Sequence, residues 1–414
     1  MRIVRAENEW HRRDLGAEVR DAVAEIVGEV REGGDSAVLR LTELFDHAEL
    51  GPERLQVDPR ALEGSLGVLE PAVVAAIRAA IANVRAVVKA QLQREDTVVE
   101  LPDGQRIELA ELPVRRAGLY VPGGRAAYPS TVVMLAVTAR AAGVEQIAVC
   151  APPGPGGEAH PAILAACVLC EVNEVYRMGG AQAIAALAYG TESVPAVDVI
   201  AGPGNAYVQE AKRQVYGDVG VDGIQGPSEL VVLAAGDGVD PELVALDLLA
   251  QAEHGDESPL WLISPDPGVL DEVEAALRRL APERPSVADA EAQLIRATDA
   301  LTGLRMSEEI APEHLELVGD AAEALAGRVR RAGCLFVGRG GGTAFGDYIA
   351  GSNHVLPTGG AARFQSALSA ATFRRRMARV SLPGEAPARL APAGAALARA
   401  EGLPVHAESM ERRA

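Results

Sequence analysis

The sequence predicts an α/β protein built on two similar parallel-sheet domains, with small helical extensions at the N- and C-terminal ends. Three observations lead there. Hydrophobic residues make up 48% of the 414-residue chain but aromatic ones only 3%, so Ala, Val, Leu and Gly must build the core, which suits helices packed closely on short strands rather than a β-sandwich. From about residue 100, short apolar runs alternate with helical stretches, and a second series of the same kind starts near residue 229. A chain of this length can bury two or three such cores.

Taken in order, residues 16–45 place apolar and charged positions at helical spacing, and Gly33-Gly34-Asp35 is predicted to break one helix and cap the next. Over 71–92, Val73, Ile77, Ile81, Val84 and Val88 mark one face of a long amphipathic helix, opposite Arg78 and Arg85. Ala117-Gly-Leu-Tyr-Val, Gln146-Ile-Ala-Val-Cys and Val197-Asp-Val-Ile-Ala read as strands, with helices at 130–142, 160–171 and 181–188. Strand and helix in alternation imply a parallel sheet with right-handed crossovers. Glu229-Leu-Val-Val-Leu-Ala-Ala, Leu260-Trp-Leu-Ile-Ser, Leu315-Glu-Leu-Val and Cys334-Leu-Phe-Val-Gly repeat the pattern without repeating the sequence. Each series is expected to form an incomplete Rossmann-like unit. After Ser366 the Ala- and Arg-rich chain, with Phe373-Arg-Arg-Arg and a stop at Glu401-Gly402, reads as a helical tail. It is too small to bury a core alone and should pack on the body or on a second subunit.

The net charge of -19 argues against nucleic acid, whose binding needs a basic face. Met1-Arg-Ile-Val-Arg-Ala-Glu-Asn lacks the apolar stretch of a signal peptide, and no run of 18 uncharged apolar residues occurs, so a cytoplasmic protein without a membrane partner is expected. Cys167 and Cys170 lie in an apolar helical segment and read as core thiols rather than a redox or zinc pair.

Six segments carry candidate chemistry. Asp240-Pro241 caps and opens a helix near whose end Gln251 and His254 stand three apart, on one face; two metal ligands would suit that spacing, and so would plain surface. Asp347 follows the glycine run Gly338 to Gly346, which permits close approach of a ligand or merely a tight turn. Ala311-Pro-Glu313-His314 puts a carboxylate beside an imidazole on a turn before a strand, fit for paired acid/base work or for a polar strand start. Gly202-Pro-Gly-Asn205 and Tyr120-Val-Pro-Gly-Gly124 are glycine-rich loops after strands, where open α/β sheets place ligands, although neither is Gly-x-Gly-x-x-Gly. His406, after the Gly402 stop, reads by itself as a solvated histidine.

Together with Gly179-Gly-Ala-Gln182, Gly226-Pro-Ser228-Glu, Leu249-Ala-Gln-Ala-Glu-His254, Gly346-Asp-Tyr-Ile-Ala-Gly-Ser-Asn-His354-Val-Leu-Pro-Thr and Glu401-Gly-Leu-Pro-Val-His406, these blocks stand in one order over about residues 16–408. In that order they resemble the L-histidinol dehydrogenases. The resemblance implies oxidation of L-histidinol through L-histidinal to L-histidine, the last two steps of histidine biosynthesis, with two NAD+ and one zinc ion per subunit of a homodimer. It implies Gln251, His254, Asp347 and His406 as metal ligands, the last from the other subunit, and Glu313 and His314 as the acid/base pair. Ser228, His354 and Glu401 would face the substrate, with the metal ligands and His314, while Tyr120, Gln182 and Asn205 would meet NAD+. The domains expected are a helical extension over 1–20, a catalytic zinc domain from 21–99 and 228–368, an NAD-binding domain over 100–227, and a tail over 369–414 packing on the partner subunit.

Two departures from the family pattern stand out. Thr138 occupies a position where Pro is common, and Gly341-Gly-Thr-Ala-Phe345 replaces a segment that usually contains Pro and Glu, so the loop before Asp347 is expected to be more mobile. The alternatives are a relative acting on another polar amino- or diol-type alcohol, against which Glu401, His406 and His354 argue, and an aldehyde dehydrogenase using Cys334, against which its apolar setting argues. A binding protein that had lost catalysis would be expected to lack Glu313 or His314, and both are present.

Overall fold

The computed structural model describes residues 1–10, 19–92, 97–123, 126–224 and 226–414; the start of the 16–45 reading and Gly124 lie outside them. The chain opens with strand β1 (Arg2–Glu7) and four helices, α1 (Val19–Asp46), α2 (Pro52–Leu55), α3 (Pro59–Gly64) and α4 (Pro71–Gln91), followed by strands β2 (Thr97–Glu100) and β3 (Arg106–Pro113). The first parallel series is β4 (Arg116–Tyr120), α5 (Pro129–Ala142), β5 (Gln146–Ala151), α6 (Pro161–Leu169), β6 (Glu174–Arg177), α7 (Gly180–Tyr189), β7 (Val199–Ala201), α8 (Ala206–Val215) and β8 (Gly220–Val221). The second is β9 (Leu230–Ala234), α9 (Pro241–Ala252), β10 (Leu260–Ser264), α10 (Pro267–Leu280), β11 (Glu291–Arg296), α11 (Ala300–Ile310), β12 (His314–Val318), α12 (Asp320–Glu323), β13 (Cys334–Val337) and α13 (Thr343–Tyr348). Strand β14 (Arg374–Ser381) and helices α14 (Ala386–Ala400) and α15 (Pro404–Glu411) complete it.

The first sheet has the order β6-β5-β4-β7-β8, all parallel. Alternation along β5 sends Ile147, Val149 and Ala151 to one face and Ala148 and Cys150 to the other, so both faces need cover. Helices α4, α5 and α6 pack on one, α1, α7 and α8 on the other. The chain reverses direction of travel across the sheet between β4 and β7, and the crevice past their carboxyl ends lies beside Tyr120 and Gly202. The second sheet, β1-β11-β10-β9-β12-β13, repeats the plan with its reversal between β9 and β12. Here the crevice is sealed: the Asp237 amide donates to Asp320 Oδ1 at 2.9 Å, the Asp320 amide donates back to the Asp237 carbonyl at 3.0 Å, and a Cβ on Gly236 would stand 2.0 Å from Asp320 Oδ1. The α/β class, the parallel sheets and the helical parts near both ends agree with the sequence reading.

Three boundaries differ from it. Arg2–Glu7 is a strand, not part of a helical extension: Ile3 and Ala6 reach the cores on the two sides of the sheet while Arg2 and Arg5 pair with Glu291 and Glu274, so its charges guard the sheet's open edge. Residues 21–99, grouped by sequence with the second domain, supply α1 and α4 to the first sheet. Apolar spacing shows that a helix has a buried face but not which sheet receives it. The tail does end in two helices, but Arg374–Ser381 is a strand antiparallel to β3, where Arg376 and Arg379 meet Glu111 and Glu108 across the pair. Those cross-strand charges override the helical propensity of an Arg-rich run.

Smaller details follow the same logic. Helix α1 breaks at Gly34 (φ 55°, ψ -138°) as expected, but Asp35 bonds outward, accepting from the Thr191 and Ser193 hydroxyls at 2.5 Å each. Helix α4 is long and apolar enough to cross a membrane, yet Ile77, Ile81, Val84 and Val88 are buried against the first sheet's helices, while Val73 of the expected stripe is 38% exposed. Cys150, Cys167 and Cys170 are buried free thiols.

Candidate active site

The candidate residues gather at the amino ends of β9 and β12, opposite to the edge that open α/β sheets ordinarily use. Ser228 and Glu229 lead into β9, Gln251 lies in the last turn of α9 with His254 just beyond it, and Asp347 comes from α13. The turn carrying Glu313 and His314 forms because α11 ends at Ala311 in the left-handed region (φ 48°), with Pro312 next and β12 beginning at His314.

The main chain of Glu229 holds both members of that pair. Its N–H donates to Glu313 Oε2 at 2.9 Å, and its carbonyl lies 3.0 Å from His314 Nδ1. A carbonyl can only accept, so Nδ1 carries a proton, and in the neutral ring the lone pair falls on Nε2. That Nε2 stands 3.7 Å from Asp347 Oδ1, and the other carboxylate oxygen, Oδ2, stands 3.8 Å from His254 Nε2. Ser228 Oγ donates to Glu313 Oε2 and accepts from Gln251 Nε2, the latter at 2.6 Å. His354 bridges the two sheets' helices: its Nδ1 is 2.8 Å from the Asp347 carbonyl and its Nε2 3.1 Å from Thr131 Oγ1 on α5.

Electrostatics separates the two acids. Burial pushes the Glu313 carboxyl above the usual range, against the opposing pull of His314, the Ser228 hydroxyl and the Glu229 amide. Burial acts the same way on Asp347, but His254, His314 and His354 around it prevail and hold it below its usual value. For His254, burial is outweighed by Asp347 and Glu313, and the imidazole is raised; burial lowers His354, which favours its neutral form. One carboxyl disposed to hold a proton beside one disposed to lose it is the pattern expected of an acid/base site. Burial, with Asp347 nearby, pushes the Cys334 thiol up to about 11, which removes it as a thiolate nucleophile near neutral pH.

One donor in the cluster is left open to a cation. Gln251 is 1% exposed, and with its amide nitrogen committed to Ser228, its Oε1 is buried without a hydrogen-bond partner. A buried neutral acceptor left unsatisfied is costly unless a cation or another donor completes it, although among the described residues no three His, Cys, Asp or Glu side chains are grouped ready to hold a metal. Glu401 and His406 are not part of this group in a single chain: both are exposed on the α14–α15 hairpin, which packs through Ala395, Ala398 and Ala407 and is tied by Arg399 to Glu411 at 2.7 Å. Across the molecule's other sheet, Tyr120 is buried with its hydroxyl accepting from the Gly180 amide at 3.2 Å. Gln182 is buried with Nε2 unpartnered, and Asn205 caps α8 by accepting from the Val208 amide at 3.1 Å.

Comparison with known proteins decides the family. The histidinol dehydrogenase family model matches residues 11–414. The chain belongs to the histidinol dehydrogenase family. It is 45% identical over 403 residues to the histidinol dehydrogenase of Parasynechococcus marenigrum, covering 96% of this chain and 91% of the relative, and 43% identical to that of Cereibacter sphaeroides, covering 97% and 93%. The crystal structure of histidinol dehydrogenase from Elizabethkingia anophelis superposes with a TM-score of 0.92 at 30% identity, covering 100% of this chain and 98% of that one. The chain is therefore an oxidoreductase of the kind that acts on alcohols and aldehydes.

Within the family frame, the two departures acquire structural detail. The Thr138 hydroxyl donates to the Met134 carbonyl at 2.6 Å and receives the Asn353 amide at 3.3 Å. In the altered loop, the Thr343 amide donates to Glu316 Oε1 at 2.8 Å. Glu316 is pushed well above the carboxylate range by burial and then by Asp247, itself raised by burial to about 6. Both carboxyls bind protons more tightly folded than unfolded, so their contribution to stability is complete below about pH 4; the Asp247 part is lost as pH rises through about 6, and that of Glu316 as pH rises through its own raised value. Glu316→Gln keeps the acceptor for Thr343 but removes a buried anion, and should raise Tm by about 2–4 °C at pH 8, with the gain vanishing near pH 4. A melting series across that range checks it; an unchanged gain at pH 4 would exclude this proton linkage.

Sequence reasoning overlooked the Glu229 main chain and Thr131. No side-chain signal marks a residue that acts through its backbone, and Thr131 becomes relevant only once α5 is set against the loop carrying His354.

Proposed function

We propose that this chain oxidises L-histidinol through L-histidinal to L-histidine, a four-electron reaction using zinc and two NAD+. The observation that carries this reading is the proton placement enforced by Glu229, which leaves His314 Nε2 as a lone-pair base facing Asp347 with Glu313 buried alongside. Gln251, His254 and Asp347 would hold zinc, with His406 contributed by the second subunit of a homodimer; the ion would anchor the substrate's amine and imidazole and so fix the carbinol carbon. NAD+, taken up beside Tyr120, Gln182 and Asn205, supplies the two hydride acceptances.

The chain's own residues then divide the work. His314 Nε2 takes the hydroxyl proton of the alcohol as its hydride leaves. Glu313, deprotonated, removes a proton from the water that adds to the aldehyde carbon while protonated His314 returns its proton to the aldehyde oxygen; the resulting hydrate then loses the second hydride as His314, free again, accepts a hydroxyl proton, and Glu313 releases its own to solvent. Ser228, bonded to both Glu313 and Gln251, holds the base in register with the metal side of the site, while Glu401 and His354 flank the substrate. The family's biosynthetic role is consistent with a cytoplasmic protein.

The test is NADH formation from L-histidinol by purified, zinc-loaded protein before and after chelation. The expected result is about two NADH per histidinol, lost on chelation and restored by zinc. One NADH per histidinol would remove the assignment of the second oxidation to Glu313, and none from protein with zinc bound would point to a different alcohol as substrate.

A further inference from the structure

The most deeply buried ion pair described in the chain lies outside the catalytic cluster. Lys212 on α8 and Asp222 just after β8 pair side chain to side chain, with exposures of 0% and 1%. Replacing such a pair by apolar residues often costs nothing or even stabilises, so burial of two charges is a poor way to gain stability. What this pair does hold is one residue of backbone. Strand β7 ends at Ala201, and at Gly202 the chain leaves the sheet. There the N–H donates to Asp222 Oδ2 at 2.8 Å and the carbonyl accepts from Lys212 Nζ at 3.0 Å. Both polar groups of one peptide residue that has left its strand are thus met by opposite charges. Gly202 has φ 136°, and a Cβ there would stand 2.0 Å from the Tyr120 carbonyl oxygen. The loop therefore presses against the end of β4 at the point where the sheet reverses. From that fixed point the chain continues through Pro203 and Gly204, whose carbonyl accepts from Gln209 at 3.3 Å, to Asn205 at the head of α8. Asp222 is itself tied to the following part of the molecule, its carbonyl accepting from Gln365 Nε2 at 2.8 Å.

We infer that Lys212 and Asp222 are positioning residues for the dinucleotide: by clamping both polar groups of Gly202 they set the 202–205 loop against Tyr120, and with it the surface that receives NAD+. This rests on the proposed cofactor reading. It assigns the pair to one substrate of the two, because the side-chain bonds described for it meet both polar groups of Gly202 in the first sheet's loop, and among the described bonds none joins it to Glu313, His314 or Asp347.

Two variants of the full-length, zinc-loaded protein test it, Lys212→Met and the charge-neutral double variant Lys212→Met/Asp222→Asn, which keeps the inference falsifiable should an unpaired Asp222 prevent folding. In whichever variant folds with the parent's circular dichroism, KM for NAD+ is expected to rise about tenfold or more while KM for L-histidinol stays within about twofold. Amide hydrogen exchange at 202–205 is expected to accelerate without substrate or cofactor present. A folded variant with KM for NAD+ and loop exchange both unchanged would overturn the clamp, and so would equal increases in both KM values, which would mark a general structural role. Failure of the cofactor reading would show in the parent, as absence of NAD+ binding, whatever the variants do.

Discussion

Replacing His314 by Asn is expected to slow both oxidations by about 10²–10⁴-fold, the usual worth of a positioned general base. The side chain is 2% exposed, so bulk water has poor access to replace it, and the substituted amide offers no group of comparable basicity at the place of Nε2. The neighbouring carboxylate should behave differently. Glu313→Gln retains an oxygen to accept from Ser228 and the Glu229 amide but cannot take a proton from water, so it should impair oxidation of L-histidinal far more than that of L-histidinol. Single-turnover measurements started from the alcohol and from the aldehyde separate the two steps. Parent-rate oxidation of histidinal by Glu313→Gln would show that some other group activates the water.

The second large effect concerns Asp347. Its two oxygens face different imidazoles, His254 at 3.8 Å and His314 at 3.7 Å, both beyond hydrogen-bond length. The carboxylate is therefore placed as a shared counter-charge and, in the proposed zinc site, would be a ligand. Asp347→Asn should reduce zinc affinity by at least the roughly 10–100-fold typical of losing a supporting partner of a metal ligand, with activity recovered in part at high zinc. Zinc content after dialysis and activity against added zinc provide the measure. A variant that retained one zinc per chain with the parent's affinity would remove Asp347 from the ligand set.

Much of this architecture can be read from the sequence because its cause is local. Apolar runs such as Leu260-Trp-Leu-Ile announce strands covered on both faces, and Pro312 beside Glu313-His314 announces the turn that presents them. What could not be read depends on partners distant in the chain. The strand at Arg374–Ser381 exists because Glu108 and Glu111 lie opposite it, and the strand at Arg2–Glu7 because β11 offers an edge almost 300 positions away. Glu174–Arg177 and Glu291–Arg296 are short or polar enough to be overlooked until a neighbouring strand completes their bonds. At the site, residue identities came from ordered motifs, but the arrangement that gives them function came from folding: the Glu229 backbone fixes the His314 proton, and Lys212 and Asp222 secure a glycine ten and twenty positions before them. Glu401 and His406 stand apart from the cluster in one chain, so their roles remain part of the proposed dimer.

The seal formed by Asp237 and Asp320 gives the second half of the molecule an inert end. Because that rim is closed by the paired bonds of Asp237 and Asp320 and lies opposite the proposed acid/base residues, the exposed turn at Gly236–Gly238, where a Cβ on Gly238 would meet nothing within 4 Å, is a natural attachment point. A fluorophore or a short inserted peptide could be carried there, on the side of the sheet opposite Glu313 and His314, leaving the reacting side of the enzyme unencumbered.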